Sequence, residues 1–127
     1  MLRFTQLIIF LLVLNANQAL ALPKNIQLEY DVARNGKQFA TLKETFTQNG
    51  KQYRIKSVTK GLGVYALMGE RTLTSVGSVT KDGLKPIHFE LHQGKSSKKS
   101  LVADFNWAKS TLDMQVKGEK RSEPLAK

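Results

Sequence analysis

Apolar and polar residues alternate along most of the chain after residue 24, a pattern typical of strands with one buried face. Residues 25–33 show it most clearly, and their apolar side consists of Ile26, Leu28, Tyr30 and Val32. The same period predicts further strands over 37–47, 53–59, 70–80 and 86–92, and around Phe105 and Met114. Asn35-Gly36 and Asn49-Gly50 predict tight hairpin turns, because these residue types tolerate positive φ.

About seven strands joined by short connections, with no long helix, predict an all-β antiparallel meander. Since each strand has an apolar face, we expect a strongly curved sheet or a partly open barrel, with a sandwich as the alternative. Phe105 and Trp107 share the parity of the apolar side, which predicts that both belong to the core. Residues 118–127 are charged and show no clear pattern, so no strand is predicted there.

An unbroken apolar run, residues 7–14, precedes the strands and follows a single basic residue, Arg3. The small residues Ala19 and Ala21 then match a signal peptidase site. The run is shorter than the roughly 20 residues needed to cross a bilayer. We expect a signal helix over 1–21 that is cleaved, and one exported β domain over 22–127 that does not span the membrane. An uncleaved anchor is the alternative.

Basic residues outnumber acidic ones, and the formal net charge is +10. This balance favours polyanionic partners. Export argues against nucleic acid and favours an anionic envelope surface such as lipid headgroups, while solubility is the alternative role of the lysines. The chain has no cysteine, which excludes disulfides, thiolate nucleophiles and cysteine metal sites.

Residues 60–69 (KGLGVYALMG) interrupt the alternation with three glycines around an apolar patch. The patch consists of Val64, Tyr65, Leu67 and Met68. We expect a loop or a short helical turn over an open end of the sheet. It either fills the core or forms a movable gate over a ligand cavity, which makes these four residues candidate ligand contacts.

Four lysines near one predicted hairpin form a candidate basic surface, namely Lys85, Lys95, Lys98 and Lys99. Such a cluster suits anionic headgroups. The alternative is an ordinary solvated tip whose charges discourage aggregation through sheet edges.

His88, Glu90 and His92 are the grouping most similar to a metal or acid–base site, because period two places them on one strand face. Residues four apart on a strand have Cα atoms about 13 Å apart, so the two imidazoles could share one ion only at full extension. We therefore expect a solvated face, with no catalytic residue, metal or cofactor. A hydrolase-type enzyme using these three side chains ranks third among the functional hypotheses.

Residues 75–86 (SVGSVTKDGLKP) resemble the hallmark of the bacterial domain of unknown function 3108, in which a Ser-x-Gly-x-Val-Thr strand enters a Gly-Leu-x-Pro turn. Residues 30–32, 61–62 and 104–107 also resemble its pattern, which usually has an acid at the position of Asn106. The resemblance implies an exported envelope protein of Gram-negative bacteria with an antiparallel sheet, and no established reaction. Similar members continue past residue 127, so we expect a truncated sheet with an exposed edge.

From these observations we expect a periplasmic protein that binds an apolar or amphiphilic envelope molecule without catalysis. The alternative is a structural or assembly factor that acts through its sheet edge and basic surface. The sequence does not indicate an oligomeric state.

Overall fold

The computed structural model describes residues 23–125, which form an eight-stranded sheet with two short 3₁₀ helices at Gly63–Met68 and Ser97–Lys99. The predicted signal helix, including Ala19 and Ala21, lies outside the described residues. The strands are β1 (Asn25–Arg34), β2 (Lys37–Asn49), β3 (Gln52–Gly61), β4 (Arg71–Thr80), β5 (Gly83–Gln93), β6 (Leu101–Asn106), β7 (Thr111–Val116) and β8 (Glu119–Pro124).

The sheet is an antiparallel meander, because each strand pairs with the strands next to it in sequence. Within the described range β1 and β8 do not pair with each other, so the sheet is open. This confirms the predicted all-β meander. Among these residues no helix has the length and apolar character needed to cross a membrane.

The eighth strand, β8, was not predicted, and its sequence shows why. All six of its residues are exposed, so neither face imposes an apolar period. It is instead placed by backbone pairing with β7 and by a tight turn at Lys117 and Gly118, whose φ values are 52° and 87°. The only feature of the sequence that indicates this hairpin is Gly118 in its turn.

Strand β5 begins at Gly83, three residues before the start expected from its apolar pattern at Pro86. A register irregularity between Val76 and Gly77 accompanies the proline, which lies opposite Gly77. Proline lacks a backbone donor, so strands tolerate it at such irregularities. The apolar alternation begins only after this irregularity, so it did not predict residues 83–85 as part of the strand.

Few side chains are buried. Among the residues whose burial the structure describes, the buried ones are Ala40, Tyr53, Gly77 and Ala103. The prediction that Trp107 belongs to the core is wrong, because it follows the end of β6 and is exposed. Its ring stacks on Phe105 at 5.8 Å, and its Nε1–H donates to the carbonyl of Pro86 at 2.7 Å.

Candidate functional site: an open apolar face and a basic end

The strand register places the apolar side chains of successive strands in common rows on one side of the sheet. We call this side the apolar face. Its members include Ile26, Leu28, Tyr30, Leu42, Phe46, Ile55, Leu73, Phe89, Leu91, Leu101, Met114 and Val116. On β1 they are exposed and on the inner strands they are half-buried, so no second layer of the described chain covers them.

A carboxylate lies among the apolar side chains of β1, β2 and β3. Glu44 lies directly between Leu28 of β1 and Ser57 of β3 in the register, and it is half-buried. The Ser57 hydroxyl donates to Glu44 Oε2 at 2.8 Å. No lysine or arginine of the described chain forms an ion pair with it, in contrast to Glu29 on the opposite face, which pairs with Lys43.

A cleft of about 710 Å³ lies on the opposite, polar face. Its walls include two ion pairs, Lys43 with Glu29 and, at its end, Lys60 with Glu70, each at 3.4 Å. Such a charged lining does not suit an apolar molecule. This cleft is therefore poorly suited to an apolar molecule.

The apolar patch predicted between β3 and β4 forms the 3₁₀ helix Gly63–Met68, as the expected short helical turn. The prediction that this patch fills the core is wrong, because none of the residues in this helix is buried. Val64 and Tyr65 line an open cleft of about 570 Å³, whereas Leu67 and Met68 lie outside it. The four candidate ligand contacts thus do not converge on one cavity.

The four candidate lysines do not form one cluster. Lys95, Lys98 and Lys99 lie together on the connection between β5 and β6. Lys85 lies near the other end of β5, opposite Ser78, where its Nζ is 5.0 Å from the centroid of the Trp107 ring. The extended length of β5 separates it from the others.

We call the end of the sheet that carries Lys95, Lys98 and Lys99 the basic end. The antiparallel meander brings the connection between β3 and β4, with its apolar patch, to this same end. The sequence predicted both features, and the topology makes them neighbours.

The polar face carries a connected group of ionisable side chains. His88 Nδ1 lies 2.6 Å from Asp104 Oδ1, and His88 Nε2 lies 2.7 Å from Glu90 Oε1. Glu90 Oε2 in turn lies 3.3 Å from His92 Nε2. Glu90 therefore links the two histidines on the strand face that was expected to be solvated. Within residues 23–125 no group of side chains is arranged to hold a metal ion.

These contacts change the proton affinities of two members. A neutral imidazole has one N–H, whereas protonated His88 donates to both carboxylates, so Asp104 first and Glu90 second raise the pKa of His88 above 6.5. The hydrogen bonds from His88 and His92 lower the pKa of Glu90 below 4.5. Both shifts favour the charged forms.

The cluster should make stability depend on pH. His88 contributes fully below pH 6.5, and the contribution is lost as pH rises through its raised pKa. Glu90 contributes above pH 4.5, and its share is lost as pH falls through its lowered pKa. We therefore expect a higher urea midpoint at a pH between these values than in mildly alkaline solution.

The variant Asp104→Asn should flatten this dependence, because it removes the main partner of His88. Asp113→Asn is the matched control, since Asp113 lies beside Asp104 in the register but accepts its hydrogen bond from Ser122. Equal pH profiles of the two variants would contradict the assignment.

Comparison with known protein families shows to which family the chain belongs. The profile of the family described as "Protein of unknown function (DUF3108)" matches residues 28–127. The chain belongs to this family. No curated protein sequence and no solved structure matches the chain.

Membership in DUF3108 confirms the resemblance carried by residues 75–86 and supplies no site residues. Two polar residues that make specific contacts in the structure, Asp104 and Glu44, were not predicted as site residues from the sequence. Asp104 was visible only as part of a motif, because its pairing with His88 depends on the register of β5 and β6. Glu44 carried a usable signal, since its parity places it among apolar residues.

Proposed function

We propose that this protein binds an amphiphilic molecule of the cell envelope along the apolar face, without catalysis. The observation that supports this most is the uncovered apolar side of β1, where Ile26, Leu28 and Tyr30 are exposed. Exposed contiguous apolar surface of this kind marks binding sites on proteins. The proposal places the protein in the periplasm of a Gram-negative bacterium, after cleavage of residues 1–21.

Two further features support an amphiphile over a plain hydrocarbon. Glu44 and Ser57 form a polar pair within the apolar face. Covering Glu44 without offering a donor would leave a carboxylate poorly solvated, which is costly. The occupant therefore needs at least one hydrogen-bond donor. The positive net charge, which is +10 for the whole chain and one unit lower once Arg3 is lost with residues 1–21, adds a general preference for an anionic group elsewhere in the molecule.

Native mass spectrometry of the protein recovered from the periplasm tests this proposal. We expect a chain that begins at Leu22 and carries a bound lipid or other amphiphile, identified after release. A bare, folded chain would contradict the proposal.

A pair of variants locates the binding. Leu28→Asp places a carboxylate on the apolar face and should abolish retention of the amphiphile. The variant loses the apolar contact of Leu28, and a bound amphiphile would have to cover an unpaired charge. Gln27→Asp is the matched control, since it adds the same charge to the same strand on the opposite face. Equal loss in both variants would show that the effect is not specific to the apolar face.

The free outer edge of β1 favours a second candidate, an assembly factor that pairs with a strand of another protein. Ten residues of β1 present one unpaired edge within the described chain. Exposed edges of this kind are templates for strand addition. A bare chain in mass spectrometry, together with a protein partner lost on insertion of proline into β1, would support this candidate instead.

A further inference from the structure

The basic end of the sheet presents strongly exposed apolar side chains. The exposed fractions are 74% for Val64, 89% for Leu67 and 59% for Met68. These exposed fractions are large for three apolar residues on a single short 3₁₀ helix. Since this helix is not part of the apolar face of the sheet, the binding proposed above does not account for it.

The backbone that carries these side chains is fixed by contacts to the neighbouring elements. Gln93 Nε2 donates to the Met68 carbonyl at 3.1 Å, and the Gly94 N–H donates to the Glu70 carbonyl at 2.8 Å. On the other side, the Tyr65 ring packs on Phe39 with centroids 5.4 Å apart. These contacts fix the connection between β3 and β4, so its apolar side chains stay exposed to solvent.

Basic side chains lie on the adjacent connection. Lys95, Lys98 and Lys99 are all exposed, and Gly94 at the start of this connection approaches Gly69 at the end of the 3₁₀ helix. The acid nearest in sequence to the 3₁₀ helix Gly63–Met68 is Glu70, which is paired with Lys60 at 3.4 Å. The same end also carries the basic residues of the outer turns, Arg34, Lys37 and Lys117.

We propose that the basic end docks on the surface of an anionic lipid bilayer. Val64, Leu67 and Met68 enter the boundary between headgroups and acyl chains, and Lys95, Lys98 and Lys99 contact the anionic headgroups. Apolar burial and electrostatic attraction are the two forces that hold proteins at such an interface. This surface is separate from the apolar face, so the inference does not depend on the proposed function.

The absence of cysteine allows a direct test of insertion in the full chain. The variant Leu67→Cys is labelled with a fluorophore that shifts to the blue in apolar surroundings. Lys81→Cys, in the turn between β4 and β5 at the opposite end of the sheet, is the matched label site. Vesicles of phosphatidylglycerol and phosphatidylcholine should shift the emission at position 67 and leave position 81 unchanged.

Lysine variants test the electrostatic part with the same labelled chain. Replacing Lys95, Lys98 and Lys99 with alanine should weaken vesicle binding about 100-fold, given the contribution of each lysine near an anionic surface. Replacing Lys51, Lys81 and Lys109, which lie in turns at the other end, removes the same charge and should have a much smaller effect. Binding should also fall in 1 M salt, where the screening length is about 3 Å.

Three results would overturn the proposal. One is an unshifted label at position 67 while the protein sediments with the vesicles. Another is an equal shift at positions 67 and 81. The third is an equal affinity of the two triple-lysine variants, since it would show that only total charge matters. Whether or not residues 1–21 are cleaved, every variant has the same N-terminus, so the apolar run at residues 7–14 cannot produce a difference between them.

Discussion

The variant Gly77→Ala is expected to lower the free energy of unfolding by about 3 kcal/mol, at the upper end of the usual cost of overpacking. A methyl group at this position would lie 2.8 Å from Pro86 Cα and 2.8 Å from Tyr53 Cε1, and closer still to the Lys85 carbonyl oxygen. Two of these neighbours are backbone atoms of the paired strand β5, so they cannot move aside without disturbing the ladder. Urea unfolding measures the loss.

Gly50→Ala is the control for Gly77→Ala. A methyl group at Gly50 would meet nothing within 4 Å, but its φ of 59° disfavours alanine. This variant should lose only about 1 kcal/mol, the cost of left-handed backbone for an L-residue. If both variants lost the same stability, close packing at Gly77 would not be the cause.

The variant Tyr53→Ala is expected to lose about 3–5 kcal/mol, the range for truncating a buried aromatic side chain. Tyr53 is only 5% exposed, stacks on Phe46 with centroids 6.5 Å apart, and places its hydroxyl 3.2 Å from Ser75 Oγ. It is the one large side chain among the buried described residues. Urea unfolding again gives the loss.

Two variants separate the contributions of Tyr53. Tyr53→Phe removes only the hydroxyl and should cost about 1 kcal/mol. Tyr30→Ala removes an aromatic ring from the same face at a site that is 47% exposed, and should cost much less than Tyr53→Ala. A comparable loss at Tyr30 would mean that burial does not determine the cost.

The sequence predicted the strands whose two faces differ, because burial of one face leaves a period of two. Residues 25–33 are an example, and the structure extends this strand by one residue to Arg34. Strand β8 left no such period, since both of its faces are exposed. A strand that is specified only by backbone pairing leaves no pattern of apolar and polar side chains in the sequence.

The sites were harder to predict because they depend on distances between strands. Parity alone put His88 and Glu90 on one face, and the structure confirms this. The register that adds Asp104 to them is set across a connection of seven residues, 94–100, whose path the sequence does not fix. The prediction that Lys85 clusters with Lys95, Lys98 and Lys99 was wrong because residues close in sequence lie far apart along an extended strand.

The meander order has a consequence for how the chain folds. In the described range every strand pairs only with its sequence neighbours, so each pairing can form without the prior association of distant strands. The contact order is therefore low for an all-β protein, which favours rapid assembly one hairpin at a time. Within residues 23–125 no strand joins β1 to β8, so either edge of the sheet can fray while the centre stays folded.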